Sequence, residues 1–228
     1  MQDDSKKLIF SEDFDYSQTG DSPIWGEGDA ETLDLLKKLV AEKKIFGKWL
    51  NFAAGDGRYN SILLSEADSV LATDIDLGAL DKLKKNTPKN LLEKLVLQEQ
   101  NIVEGFQFEN NEFDGVFNTG TLHLFPKYVL SSIFSEVYRI LKEDGLFIFD
   151  FATDVKRVAD DGRLIGRSEY EYSHRDAKSF LSTELKENGF AYELYEGIVE
   201  PEEVTSADGT YLFSCKYWLV VANKKVNK

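Results

Sequence analysis

The segment KWLNFAAGDGRYNSILL (residues 48–64) decides the fold class of this chain. It begins with a short apolar run that is typical of a buried strand, continues through the glycine-rich turn GDGR, and resumes helical spacing over 58–66. Glycine has no Cβ, so the backbone of such a turn can approach a ligand closely. In open α/β sheets, ligands bind beyond the carboxyl ends of the strands. The segment therefore predicts a ligand site at the end of the first strand of an α/β sheet.

Strands and helices alternate along the rest of the chain, which favours a mostly parallel sheet with helices on both faces. Helices are expected at 29–44, 58–66, 77–86, 127–143 and 174–188, the last with Ser173 as N-cap and Gly189 after its end. Strands are expected at 48–54, 69–75, 94–100, 113–119, 146–151, 190–199 and 211–223, and a less regular stretch at 152–172. The polar segment 200–210 contains Asp208-Gly209, a hairpin signal, so the last two strands are predicted to pair antiparallel.

The composition fits one globular unit in a reducing compartment. The chain has 228 residues, 42% hydrophobic and 30% charged, which suffices for one well-packed core. No stretch approaches the roughly 18 apolar residues of a membrane span, and the polar N-terminus has no signal-peptide core. The single cysteine, Cys215, excludes an internal disulfide, and its β-like neighbours indicate an inert strand residue. We expect a cytoplasmic protein with no membrane partner.

Charge and histidine content narrow the partners further. The formal net charge of −14 should repel a phosphate backbone on balance, which disfavours nucleic acid as a partner. His123 and His174 stand far apart without cysteine partners, so no zinc or other metal site is expected. The sequence does not fix the oligomeric state.

Asp74 ends the strand that follows the GDG turn. A carboxylate at that position can accept both hydroxyls of a ribose, as an acidic residue does in dinucleotide-binding folds. Two known alternatives fail on this sequence. A dinucleotide fingerprint would place glycine where Asn60 stands, and a P-loop would continue with Gly-Lys-Ser/Thr. The site therefore suits a nucleoside that carries no phosphate.

Four segments in order carry a resemblance to a known family. WLNFAAGDGRYNSILL (49–64), VLATDIDLGAL (70–80), FDGVFNTGTLHLF (113–125) and VYRILKEDGLFIFDF (137–151) resemble the signature segments of class I S-adenosylmethionine (SAM)-dependent methyltransferases. The terminal hairpin extends the likeness to about residue 223. The resemblance implies a Rossmann-like, doubly wound sheet of seven strands in the order 3-2-1-4-5-7-6, with the last strand antiparallel. It also implies SAM as cofactor and S-adenosylhomocysteine as product.

The resemblance assigns the first cofactor contacts to the ends of the first two strands. Gly55 and Gly57 would pass beside the methionine part of SAM, in a loop where Ala53 replaces the family's first glycine. Asp74 would hold the ribose hydroxyls, and Ile75 would cover one face of the adenine.

The remaining cofactor contacts fall after the third and fourth strands. Asn101 stands where the family usually has an acid facing the adenine amino group, with Ile102 beside the ring. Asn118 and Thr119 would line the methionine amine and the reacting methyl. Asn51 likewise replaces the usual acid before the turn. Because these replacements are small or isosteric, we expect altered contacts rather than loss of SAM binding.

Methyl transfer from a sulfonium depends mainly on orientation and exclusion of water, and a base is needed only if the acceptor must lose a proton. His123, in the loop after strand four, is the candidate for that base or for binding the acceptor. The other interpretation is a histidine that packs over the cofactor or orders the next helix.

Two variable segments are candidates to cap the site. Tyr16 and Trp25, in the aromatic-rich stretch 14–25, could shield the sulfonium and hold an acceptor, or Trp25 could anchor the arm to the core. Arg157, Arg163 and Arg167 could bind an anionic acceptor, or be solvated surface charges.

These observations predict one methyltransferase domain over residues 29–228, with residues 1–28 as an N-terminal arm forming part of a lid. The expected partner is a small-molecule acceptor. Two alternatives stay open: an enzyme of the same fold acting on protein or RNA, and a non-catalytic regulatory protein that binds SAM.

Overall fold

The computed structural model describes residues 28–166, 170–206 and 209–225. Within these residues, seven strands form one sheet in the order β3-β2-β1-β4-β5-β7-β6, which confirms the expected topology. The strands are β1 Lys48–Phe52, β2 Ser69–Asp74, β3 Leu95–Glu99, β4 Phe113–Asn118, β5 Leu141–Ala159, β6 Phe190–Ser206 and β7 Gly209–Lys224. Strands β1 to β5 run parallel, and β7 is antiparallel to both β5 and β6.

Five α-helices connect or cover these strands within the described residues: α1 Ala30–Ala41, α2 Asn60–Glu66, α3 Leu77–Asn86, α4 Lys127–Ile140 and α5 His174–Glu187. Short 3-10 turns lie at Lys89–Lys94, Ile102–Glu104 and Leu122–Leu124. The predicted start of α5 is confirmed, because the Ser173 side chain accepts a hydrogen bond from the Asp176 N–H. Gly189 follows α5 with φ +88°, the left-handed conformation expected of a residue after a helix end.

Helices cover both faces of the sheet, so the core has two halves. On the side of α4 and α5, the fully buried side chains include Leu50, Phe52, Phe134, Phe147 and Phe149. On the side of α1 and α2, they include Leu36, Trp49, Leu63 and Ile148. Each such side chain stabilises the fold by roughly 1.5–3 kcal/mol through burial. No helix within the described residues combines the length and apolar character that crossing a membrane requires.

The end of the chain departs from the sequence prediction. We expected β5 to stop at residue 151 and an irregular stretch to follow, but β5 continues to Ala159, paired with β7 from Ala152↔Tyr217 to Ala159↔Tyr211. Strands β6 and β7 likewise run into the segment 200–210 that we expected to be loop. The parallel register with β4 ends at Asn118↔Phe149, so these added residues project beyond the carboxyl edge of the parallel strands. We call 152–159, 198–206 and 209–216 the strand extension.

Candidate active site

The GDG turn follows β1 and has an unusual backbone. Gly55 and Gly57 adopt positive φ values of 53° and 86°, which glycine tolerates without steric cost. Ala53, at the position of the family's first glycine, also has a positive φ of 47°. A non-glycine residue held in this region costs of order 1–3 kcal/mol and persists only when its surroundings enforce it. The chain therefore keeps the backbone shape of a glycine turn even where the glycine is absent.

Helix α3 holds the turn from one side. A Cβ on Gly57 would come within 2.6 Å of Leu83 Cγ, so the glycine at this position is required by packing against α3 as well as by its backbone conformation. Buried Lys82 lies 3.8 Å from the carboxylate of Asp56, and Asn86 donates its side-chain N–H to the Asp56 carbonyl at 3.0 Å. The turn is thus a fixed part of the site.

Asp74 ends β2 and is joined to the same turn. Its Oδ2 accepts the backbone N–H of Gly55 at 2.8 Å, and its Oδ1 accepts that of Asp76 at 2.9 Å. Burial raises the pKa of this carboxyl, while the N–H groups of Asp76 and Gly55 act in the opposite direction. Asp76 in turn caps α3 by accepting from Gly78 and Ala79. The geometry orients a carboxylate beside the turn, where it could accept the hydroxyls of a ribose.

After β3, Asn101 stands at the position where the family usually has an acidic residue. Asn101 caps the Ile102–Glu104 turn: its Oδ1 accepts from the Val103 N–H, and its Nδ2 donates to Glu104 at 3.0 Å. Ile102 is buried. The neighbouring Gln100, which sequence reasoning missed, is 9% exposed, and neither atom of its amide has a hydrogen-bond partner within the described residues. A buried amide without a partner is costly, which indicates that a bound group could pair with it.

The end of β4 lies next to the end of β1. Asn118 is fully buried and donates its Nδ2–H to the Phe52 carbonyl at 2.8 Å, whereas its Oδ1 has no partner in the described part of the chain. Asn51, the replacement for the usual acid, donates to Asn60 Oδ1 at 3.3 Å and so ties β1 to the start of α2. Thr119 is partly buried directly beyond Asn118.

The residues at these strand ends fit SAM. Three features suit a nucleoside with an attached amino acid. They are the glycine turn, the oriented carboxylate of Asp74, and the amide atoms of Gln100 and Asn118 that have no partner in the described residues. Ile75 is partly exposed beside Asp74, as expected of a residue that covers a ring.

A cleft of about 900 Å³ opens beside this region. Its walls come from the 3-10 turn after β4, the strand extension and the segment before α5, and include His123, Ala152, Arg157, Tyr172 and Cys215. The structure thus brings His123 and Arg157 to one cleft, each 9% exposed. The Arg157 guanidinium lies 5.6 Å from the ring centre of Phe213.

The other acceptor candidates are not brought together. Arg163 is highly exposed, lies 3.6 Å from the Asp161 carboxylate, and does not line the cleft. The interpretation of Arg163 as a solvated charge is therefore the better one. Tyr16, Trp25 and Arg167 lie outside the described residues.

Two further residues line the cleft: Tyr172, in the stretch 152–172 that was expected to help cap the site, and Cys215, which was expected to be an inert strand residue. Tyr172 donates its hydroxyl to the Phe125 carbonyl at 2.6 Å, which ties the segment before α5 to the loop after β4, and burial raises the pKa of Tyr172 to about 12. Burial also raises the pKa of the Cys215 thiol to about 12, so this thiol is neutral, as expected of an inert strand residue. Cys215 reaches the cleft through the pairing of β7 with β5, which sequence spacing does not reveal.

Comparison with known proteins agrees with this architecture. Residues 50–149 match the family model described as a methyltransferase domain. An uncharacterized methyltransferase of Synechocystis sp. is 31% identical over 100 residues, 44% of each chain, so the match spans less than half of that relative. The structure of magnesium protoporphyrin IX methyltransferase from Synechocystis with bound SAM is 16% identical, with 87% of each chain covered and a TM-score of 0.58. The DhpI–SAH complex is 18% identical, with 86% of this chain and 85% of that chain covered and a TM-score of 0.59.

The seven-strand order and the strand–glycine turn–helix site define a Rossmann-like fold of the class I methyltransferase type, and residues 50–149 match a methyltransferase domain. The two solved structures, which hold SAH and SAM, share this fold with the chain.

Proposed function

We propose that this protein transfers the methyl group of SAM to a small molecule bound in the cleft, with residues 29–228 as the catalytic domain. The observation that carries the proposal is the cleft itself. The first residue of β5 that lines the cleft is Ala152, which lies three residues beyond Phe149, the last residue of β5 paired with β4. The cleft therefore adjoins the strand ends assigned to SAM. Its volume of about 900 Å³ falls within the range of small-molecule pockets.

SAM supplies an electrophilic methyl on a sulfonium that is already a good leaving group, so the chain's task is to bind and orient. Asp74 would accept the ribose hydroxyls, the turn at Gly55 and Gly57 would give the methionine part room, and Asn118 and Thr119 would face the methyl end. The two hydrogen bonds from backbone N–H groups to Asp74 fix its carboxylate before any ligand arrives. Such preorganisation lowers the cost of ordering the site on binding.

The cleft would orient the acceptor. Arg157 offers a permanent positive charge in a largely buried position, which suits a carboxylate or phosphate group on a small acceptor. His123 lies on the opposite segment, in the turn after β4, and would contact the acceptor near the methyl. The arm 1–28, with Tyr16 and Trp25, would close over the site and exclude water.

The test separates small from large acceptors. The purified protein is incubated with methyl-labelled SAM and either the low-molecular-weight fraction or the macromolecular fraction of a cell extract. We expect label and S-adenosylhomocysteine to accumulate with the low-molecular-weight fraction only. Label in protein or RNA would show a macromolecular acceptor. SAM binding without turnover in either fraction would support the regulatory alternative.

A further inference from the structure

Asp150 is a carboxylate on β5 that the proposed function does not use. The β4–β5 register pairs Asn118 with Phe149, so Asp150 is the next residue along β5, beside Thr119 on β4. Side chains alternate along a strand, so Asp150 shares a face with Ala152, which lines the cleft. The Asp150 carboxylate therefore stands between the strand ends proposed to hold SAM and the cleft proposed to hold the acceptor.

One hydrogen bond fixes the orientation of this carboxylate. The backbone N–H of Gly120, in the loop after β4, donates to Asp150 Oδ1 at 2.7 Å. Gly120 has a φ of 70°, and a Cβ placed there would meet no atom within 4 Å, so open space borders this loop. No described residue donates a hydrogen bond to Oδ2, and that oxygen is left to act on a ligand.

The titratable and charged groups around Asp150 come from three neighbouring elements. Asp29 precedes α1, Arg58 precedes α2, and the Cys215 thiol lies on β7. Burial, opposed by the Gly120 hydrogen bond, raises the pKa of Asp150 to about 7, with Asp29 raising it further and Arg58 lowering it. A base is most effective when its pKa lies near the working pH. The anion is therefore formed at neutral pH and still able to take a proton.

We propose, building on the proposed function, that Asp150 is the catalytic base and that the acceptor reacts through an O–H or N–H group. The acceptor oxygen or nitrogen forms a bond to the methyl carbon as the sulfur–methyl bond breaks, and the electron pair of that bond stays on sulfur as a neutral thioether. The acceptor's proton passes to Asp150 Oδ2 and is released to water after the product leaves.

The first test compares Asp150→Asn with wild type in the labelled-SAM assay with the low-molecular-weight fraction. Asn keeps an Oδ1 that accepts from Gly120, so the loop is preserved while the base is removed. We expect turnover to fall by about 10²- to 10⁴-fold, with S-adenosylhomocysteine affinity unchanged. In wild type the rate should rise with pH through an apparent pKa of about 7. Asp144→Asn is the matched control. Asp144 lies near the other end of β5, away from the candidate site, and its φ of 61° suits Asn.

Equal turnover in Asp150→Asn and wild type would overturn the assignment while leaving the proposed function intact. Loss of S-adenosylhomocysteine affinity in Asp150→Asn would also overturn it, since the carboxylate would then be a cofactor contact. A second measurement needs no acceptor: carboxyl ¹³C NMR titration of wild type and Asp150→Asn with S-adenosylhomocysteine. A resonance that titrates near pH 7 and is missing from the variant supports the base. An Asp150 resonance that titrates at its ordinary pKa overturns it, even if no acceptor is found.

Discussion

The Asp74 carboxylate accepts the backbone N–H of Gly55 at 2.8 Å, which joins the end of β2 to the turn that follows β1. The two residues are therefore one structural unit, although each was assigned to a different part of SAM. A substitution at either position should alter both the nucleoside contact and the shape of the turn.

Asp74→Ala should weaken binding of both SAM and S-adenosylhomocysteine. Removing the carboxylate leaves two ribose hydroxyls and the Gly55 N–H without their acceptor, a loss on the order of 1–3 kcal/mol. Titration calorimetry measures the change. Glu99→Ala is the control, because Glu99 pairs with Asp74 across β2–β3 but is exposed. Equal affinity of Asp74→Ala and wild type would remove Asp74 from the nucleoside site.

Gly55→Val should abolish SAM binding while the fold persists. A branched side chain would occupy the space beside the turn and cannot adopt the φ of 53° without strain. Circular dichroism checks the fold and titration checks binding. Gly162→Val is the control, because Gly162 also has a positive φ but lies in the turn after β5, away from the site. If Gly55→Val still bound SAM normally, the cofactor would have to lie elsewhere.

The sequence predicted the parts of the fold that depend on local pattern. The apolar run at 48–54, the Ser173 cap and the antiparallel final hairpin are each readable from neighbouring residues, and the structure confirms them. The sheet order itself came from the family resemblance, because strand order depends on contacts between distant segments.

The strand extension and Asp150 could not be predicted in the same way. Residues 152–159 contain Asp154, Lys156 and Arg157, which do not resemble a buried strand, and only pairing with β7 keeps them extended. Asp150 is a single acidic residue near the end of the segment VYRILKEDGLFIFDF (137–151), and no sequence pattern marks it. Its proximity to Gly120 depends on the β4–β5 register. Gln100 was missed because a lone glutamine at a strand end carries no pattern.

Stability should depend on pH through Asp150 in a specified direction. The pKa of this carboxyl rises from 3.8 to about 7 on folding, so the folded protein binds the proton more tightly than the unfolded chain. Between these values the contribution of Asp150 to stability falls as pH rises, because the partly buried carboxyl must ionise in the folded protein. From pH 4 to pH 7 the wild type should therefore lose unfolding free energy relative to Asp150→Asn, whose amide does not titrate. Denaturant titrations at several pH values measure it, and a constant difference would contradict the prediction.

Arg157→Gln should reduce use of an anionic acceptor. The guanidinium is largely buried at the cleft wall, and glutamine keeps hydrogen-bonding capacity without the charge. We expect the acceptor KM to rise by about 10-fold or more, equivalent to about 1.4 kcal/mol, with SAM affinity unchanged. Arg163→Gln, an exposed arginine outside the cleft, is the matched control. An unchanged KM in Arg157→Gln would exclude an anionic group on the acceptor at this position.

Deletion of residues 1–26 tests the arm as a lid. The truncated chain keeps the contacts that hold the start of α1: the Tyr59 hydroxyl donates to the Asp29 carboxylate, and the Tyr217 hydroxyl donates to Glu31 at 3.1 Å. It loses Tyr16 and Trp25, whose ring faces would close over the methyl, exclude water and stabilise the sulfonium.

Turnover should therefore fall far more than thermal stability, which is followed by circular dichroism on heating. SAM affinity should fall only modestly, because the contacts assigned to Gly55, Gly57 and Asp74 remain. Unfolding of the truncated protein would identify Trp25 as a core anchor instead of a lid residue. Normal turnover would mean that the cleft walls alone hold the acceptor. Tight, salt-sensitive binding of tRNA or DNA by the intact protein would contradict the small-molecule proposal, because such binding requires a basic groove in a chain whose net charge is −14.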